Sequence, residues 1–184
     1  MNSTIFLISL IDAWGGTIQG RTLLQKRAYF VALLTDIRVD LGFDAHFYGP
    51  YSPTVDNTVT QLKNLRFIEE QATAYGVNET GFEIKRYDYK LTPDGITVAR
   101  KLRESPEYSK IKSAVERMTQ AGSLNYMELS IAAKAFFILK KRVKAMSKEE
   151  ITREARNFDW NLKPAALDKA VSFLESLDIL RSAA

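Results

Sequence analysis

The sequence predicts a mainly helical α+β fold in which one small β-hairpin is set among several helices. Three observations carry this. Apolar residues recur every three to four positions along most of the chain, the mark of helices with one buried face. Strand-like alternation is confined to two short stretches, 67–70 and 82–91. Apolar residues make up 46% and charged residues 26% of the 184, the balance of a folded globular chain rather than a disordered one.

Residues 3–14 (STIFLISLIDAW) read as a buried helix that Gly15 and Gly16 terminate. The apolar run Ile5 to Ile11 has no basic segment before it, is closed by Asp12, and falls short of the ~20 residues a membrane span needs. Thr22 to Leu41 is the next helix, with Leu24, Ala28, Val31, Leu34, Ile37 and Leu41 on its inner face and Gly42 as its stop. Residues 43–52 (FDAHFYGPYS) are extended and aromatic, and Gly49 with Pro50 forces a turn. Ser52 followed by Pro53 is a helix start, because serine caps free N–H groups and proline suits the first helical position. The helix over 53–66 is expected to bury Val55, Val59, Leu62 and Leu65 and to expose Asn57, Thr60, Gln61, Lys63, Asn64 and Arg66.

Phe67 and Ile68 start a strand, 71–80 reads as a polar loop, and Phe82, Ile84, Tyr87, Tyr89 and Leu91 form the returning strand. Those five alternate in two phases, which places a bulge or turn at Lys85 and Arg86. Thr92 to Gly95 passes into a helix ending near Glu104, and further helices are predicted at 107–121, 126–144, 148–158 and 164–177. Ser147 and Glu150 have the spacing of a capping box.

The order helix, helix, polar-faced helix, hairpin, helix is that of a winged helix-turn-helix, the hairpin being the wing. The expected organisation is a winged-helix-like domain over 1–104 followed by a helical domain over 105–184. QLKNLRFI (61–68) and FLESLDIL (173–180) share one cadence at a helix end, which suggests a second, wingless helix-turn-helix, although two core helices produce the same pattern.

With no cysteine in the chain there is no disulfide framework, thiolate metal site or cysteine nucleophile, and a reducing cytoplasm is the expected setting. The formal net charge of +4 is unevenly placed: residues 1–104 hold 12 Lys+Arg and 12 Asp+Glu, residues 105–184 hold 14 and 10. A basic balance hints at nucleic acid, but the hairpin half is neutral.

GRTLLQKRAYF (20–30) and HFYGPYSPTVDNTVTQLKNLRFIEE (46–70) resemble the YwgA-like family of uncharacterised prokaryotic winged-helix proteins and, more distantly, the SocA-type (Panacea) antitoxin domain. The resemblance rests on Leu24, Gln25 and Lys26, then Tyr48, Gly49 and Pro50, and covers 3–104 with a fainter match over 126–180. It implies a winged-helix-like core and a regulatory or antitoxin-type role without catalysis.

The helix over 53–66 is the leading functional candidate. Asn57, Gln61, Asn64 and Arg66 are the residue types that pair with base edges, with Lys63 reaching phosphate and Lys85, Arg86 and Lys90 on the wing holding the DNA backbone. The plain alternative is an ordinary solvated helix face. Two features weigh against DNA: the neutral hairpin half, and the ~10 extended residues before this helix where a regular motif has a turn of 3–4. Of the aromatic set Tyr29, Phe30, Phe43, Phe47, Tyr48 and Tyr51, most is core, but Tyr48 and Tyr51 at the turn are candidate anchors for a protein partner.

The remaining constellations read as structural. Gly15 to Thr22 nearly spells a P-loop, with Arg21 where the lysine belongs and no later strand ending in a magnesium-binding Asp. His46 is the only histidine and has no neighbouring nucleophile. The acidic pairs Asp36/Asp40, Glu69/Glu70 and Glu149/Glu150 have no answering cluster. Lys134, Lys140, Lys141, Arg142, Lys144 and Lys148 form a basic cluster that suits the C-terminal dipole of its helix. The chain is therefore expected to be a non-enzymatic, cofactor-free regulatory module of winged-helix type that binds duplex DNA, like a transcription regulator; the alternative is an antitoxin- or adaptor-like module that binds a protein partner and not DNA, with homodimers allowed and no membrane.

Overall fold

The computed structural model describes residues 1–77, 83–142 and 146–180. Among these the order is α1 (Ser3–Ala13), β1 (Thr17–Gln19), α2 (Arg21–Leu34), α3 (Pro53–Asn64), β2 (Ile68–Val77), β3 (Glu83–Leu91), α4 (Pro93–Leu102), α5 (Pro106–Ala121), α6 (Tyr126–Arg142), α7 (Lys148–Ala155) running into a 3₁₀ turn at Arg156–Phe158, and α8 (Pro164–Ser176). The fold is mainly helical with one small antiparallel sheet in the order β1-β3-β2.

Local chemistry sets most of these boundaries. The side chains of Asn2, Ser52, Thr92, Ser105 and Ser147 each accept a hydrogen bond from a backbone N–H in the first turn of the helix they precede. Proline occupies the first turn of α3, α4, α5 and α8, where no N–H is needed. Ser147 and Glu150 form the expected capping box.

The hairpin pairs as expected, Ile68 against Leu91 and Glu70 against Tyr89, and β1 adds a third strand through Ile18 against Tyr89. The turn residues are not where the alternation put them. β2 extends to Val77, through most of the expected polar loop, and the register irregularity falls on β2 between Ala74 and Val77 rather than at Lys85 and Arg86. There β2 spends three residue steps against two on β3, and Gly76 takes a positive φ of 116° that absorbs the extra residue. Phe82 lies outside the described residues.

α1 is apolar on every side, and accordingly it is central: Phe6, Leu7, Ile8, Leu10 and Ile11 are buried, and it packs on α3, α4, α5 and β3. Its one buried charge, Asp12, is satisfied by Arg103, which donates from Nε and NH2 at 2.9 and 2.8 Å, and by the Tyr108 hydroxyl at 2.6 Å. The Arg103 guanidinium is the main reason Asp12 titrates below the usual carboxylate range. A single hydrophobic cluster then runs from α1 through α2, α3 and the sheet to α5, α6 and α8, so residues on both sides of position 104 share one core.

α2 is shorter than its periodicity suggested. It ends at Leu34, and residues 35–43 belong to no helix or strand. Thr35 turns the backbone out (φ −112°, ψ 150°) while its hydroxyl donates back to the Val31 carbonyl. Leu41 is still buried and Ile37 partly so, which is why a helical spacing could be read through a segment that reaches the core by another path.

The two echoed segments share a real device. At the end of α3 the Phe67 N–H donates to the Leu62 carbonyl and the Arg66 N–H to that of Lys63; at the end of α8 Ile179 donates to Leu174 and Asp178 to Glu175. Both are Schellman closures, with Arg66 (φ 59°) and Asp178 (φ 56°) in the left-handed position that glycine usually fills. Leu62, Leu174 and Leu177 are buried, whereas Leu65, expected in the core, is 57% exposed.

Candidate functional site

Along α3, Asn57, Thr60, Gln61 and Asn64 are exposed, and Val55, Val59 and Leu62 are buried. Thr58 joins the buried set, its hydroxyl bonded to Ser3 and to the Thr54 carbonyl. Arg66 is exposed but lies beyond the helix, in the closure just described. The exposed side of α3 is thus a row of uncharged polar side chains.

The cations meant to hold a phosphate backbone are arranged differently. Lys63 is only half exposed and donates to Glu70 Oε1 at 2.6 Å. Lys90 faces Glu69 across the hairpin at 3.5 Å. Arg86 donates from Nε and NH2 to both oxygens of Asp88 at 2.7 Å, in fork geometry. Alternation along β3 sends Lys85 to the opposite face of the hairpin from Arg86 and Lys90. On that opposite face Arg21, which the sequence reading left in a loop, donates to the Tyr89 hydroxyl at 3.2 Å, lies over the Tyr87 ring, and has Asp56 and Glu70 each at 3.9 Å. Asp56, Glu69, Glu70 and Asp88 are thus each set against a basic side chain.

The turn after α2 is built the other way. Asp44 and Tyr51 exchange backbone hydrogen bonds, and Gly49 N–H donates to the His46 carbonyl, closing a tight loop over 44–51. The loop is held from below by the two polar residues of the Leu24-Gln25-Lys26 motif. Gln25 donates to the Ser52 carbonyl and accepts from the Ser52 N–H, both at 3.0 Å, and Lys26 Nζ donates to the Pro50 carbonyl at 2.7 Å. The Ser52 hydroxyl donates to the Leu41 carbonyl and accepts from Val55 N–H, so one side chain ties the loop to α3. From the far side Trp160 Nε1 donates to the His46 carbonyl at 2.7 Å.

Lys26 is 1% exposed. Burial, reinforced by the neighbouring Lys134 charge, lowers its pKa from 10.5 to about 7. Gly49 fits because it has no side chain: its φ is +93°, and a Cβ there would sit 3.0 Å from Lys134 Cγ and 3.4 Å from the Ser130 carbonyl oxygen. On this rigid base Phe47 is 68% and Tyr48 50% exposed, their rings edge to face at 4.9 Å. Tyr51 differs from Tyr48. It is only partly exposed and packs on the His46 ring at 4.9 Å, so it supports the turn rather than tipping it.

The other constellations fall into structural roles. Thr17–Gln19 is a strand hydrogen-bonded to β3, so the segment resembling a P-loop is extended and does not wrap a phosphate. Asp36 lies past the end of α2, not on its outer face, and pairs with Lys110. Of the basic cluster, the Lys134 ammonium lies 5.4 Å from the Trp160 ring, Arg142 pairs with Glu154, and Lys148 pairs with Asp168. Lys144 lies outside the described residues. Among the described residues no group of His, Asp and Glu is arranged to hold a metal ion, and no helix is long and apolar enough to cross a membrane.

Comparison with known proteins adds no family: no family model matches the chain, and no curated protein matches it.

Proposed function

We propose that this protein is an adaptor- or antitoxin-like module that binds a protein partner through the aromatic turn at 46–51. The exposure of Phe47 and Tyr48 on a backbone held by Gln25, Lys26 and Trp160 carries this reading. Large aromatic side chains lose solvent-exposed apolar area when a partner covers them, and a preset backbone loses little conformational entropy in the process. The two sequence motifs behind the family resemblance meet here, which ties the resemblance to this turn rather than to α3.

The underlying fold proposed is a winged helix over about 1–104, followed by a helical domain. The order α1-β1-α2-α3-β2-β3 supports it, with β3 between β1 and β2 in the sheet. The hairpin is then the wing and α3 the helix that a DNA-binding relative would use.

A second reading, DNA binding by α3 and the wing, is favoured by one observation: Asn57, Gln61 and Asn64 are exposed at helical spacing. The pairing of Lys63, Arg86 and Lys90 with carboxylates argues against it, since phosphate contacts supply most non-specific affinity. Titration with random duplex DNA at two salt concentrations separates the two. The protein-binding reading expects dissociation constants no tighter than ~10⁻⁴–10⁻⁶ M, insensitive to Lys85→Ala and Arg86→Ala. Tight, strongly salt-dependent binding that those substitutions weaken would replace it with the DNA reading.

A further inference from the structure

A cleft of about 490 Å³ opens between α2, the irregular 39–43 segment and the C-terminal half of α6. Its size is that of a small-molecule site. Ala32, Leu33, Val39, Phe43 and Phe137 give it apolar walls, and Tyr29 lines it from beneath. Its mouth is charged: Lys140 and Lys141 stand on the α6 side and Asp40 opposite.

Three features of this cleft bear on what it could hold. Lys140 and Lys141 have no carboxylate partner among the described residues, unlike Lys63, Arg86 and Lys90 on the hairpin face. Lys141 is nonetheless held in position, its ammonium 4.9 Å from the Phe137 ring centroid and 5.2 Å from that of Phe158. Finally, Tyr29 is 95% buried, and its hydroxyl has no hydrogen-bond partner among the described residues. Burial pushes the Tyr29 pKa upward, so the group stays a neutral phenol able to donate.

We propose that this cleft binds an amphipathic carboxylate: an apolar body of roughly medium-chain acyl length lying on the Leu33–Val39–Phe137 walls, with its anionic head in the positive field of Lys140 and Lys141 at the end of α6. The sign of the ligand follows from the mouth, where two ammonium groups face one carboxylate. Its apolar body follows from the walls, which offer hydrocarbon and ring faces and no array of donors for a sugar or base. The cleft adjoins the aromatic turn through Phe43, whose ring meets Tyr29 edge to face at 5.1 Å. It is a separate site, and it stands or falls independently of the protein-binding proposal.

The test uses calorimetric titration of the full chain with octanoate and, as the uncharged counterpart, 1-octanol. Saturable one-to-one binding of octanoate is expected, about tenfold or more tighter than octanol. The double substitution Lys140→Gln, Lys141→Gln should weaken octanoate about tenfold and leave octanol unchanged. Ala32→Trp, which fills the cleft and spares the lysines, should abolish both. Absence of saturable octanoate binding to the unaltered protein would overturn the proposal. So would octanoate affinity that survives the lysine substitutions, because both side chains are exposed and their replacement leaves the core intact. If Ala32→Trp does not fold, the lysine pair decides the matter alone.

Discussion

Around α3 and the two faces of the hairpin, Lys63, Arg86 and Lys90 each lie against a carboxylate, and the helix exposes the uncharged side chains of Asn57, Thr60, Gln61 and Asn64. At the 46–49 turn two large aromatic rings meet solvent while buried side chains hold the backbone beneath them. The first surface is satisfied from within, so a polyanion must compete with internal ion pairs for each contact. The second has its polar groups satisfied from below and its apolar groups satisfied by nothing. Residue type alone does not distinguish a binding surface from a solvated one; the partners of each side chain do.

The largest expected effect tests whether the α3 face is assigned correctly. Leu62 is fully buried, so Leu62→Ala should cost ~2–5 kcal/mol in denaturant unfolding, whereas Gln61→Ala beside it should stay within ~0.5 kcal/mol. Comparable losses at the two positions would mean that the exposed and buried faces are not as described.

Next comes the support of the turn. Gln25→Ala strips partners from both the N–H and the carbonyl of buried Ser52, at about 1–3 kcal/mol for a group left unsatisfied. The same substitution should increase proteolytic cleavage within 44–52 but leave the hairpin unaffected. Unchanged stability would show that the turn stands without the Gln25 clamp.

Lys26 adds a pH dependence. Below about pH 7 the folded and unfolded chains are both protonated at Lys26, and the cost of burying the charge is fully present. Between about 7 and 10.5 the unfolded chain keeps the proton that the folded one has released. Stability from this residue therefore rises with pH across that window, by at most ~1.4 kcal/mol per pH unit. Lys26→Met should flatten that rise in chemical denaturation series, and an identical profile in both proteins would contradict it.

The smallest effect bears on Arg66, which holds a left-handed conformation at the end of α3. Arg66→Gly relieves that conformation and should raise stability by up to ~1 kcal/mol. Under the DNA reading the same change also removes sequence-specific affinity; under the protein-binding reading it removes nothing.

Helices announced by caps and by an unbroken 3.6-residue period were legible in the sequence, with α5, α6 and α8 found to within a residue or two. The hairpin pairing was legible because Ile68, Tyr89 and Leu91 alternate. Where two paths to the core give similar spacing, pattern reading failed: Ile37 and Leu41 continue the α2 period although the backbone leaves the helix at Thr35. Strand β1, three residues beside glycines, is defined by its partner Asp88–Lys90 and carries almost no signal of its own. At the candidate sites, residue types were legible but pairings were not, since the contacts Lys63–Glu70 and Gln25–Ser52 join segments that the chain alone does not bring together.

Copurification from the source cells with paired variants tests the comparison most directly. Phe47→Ala with Tyr48→Ala alters only exposed side chains on the turn, and Lys85→Ala with Arg86→Ala alters only the hairpin. The account predicts a protein partner that is retained by the unaltered chain and the hairpin variant, lost by the aromatic variant, and indifferent to nuclease. A nuclease-sensitive complex lost with the hairpin variant and kept by the aromatic one would contradict it.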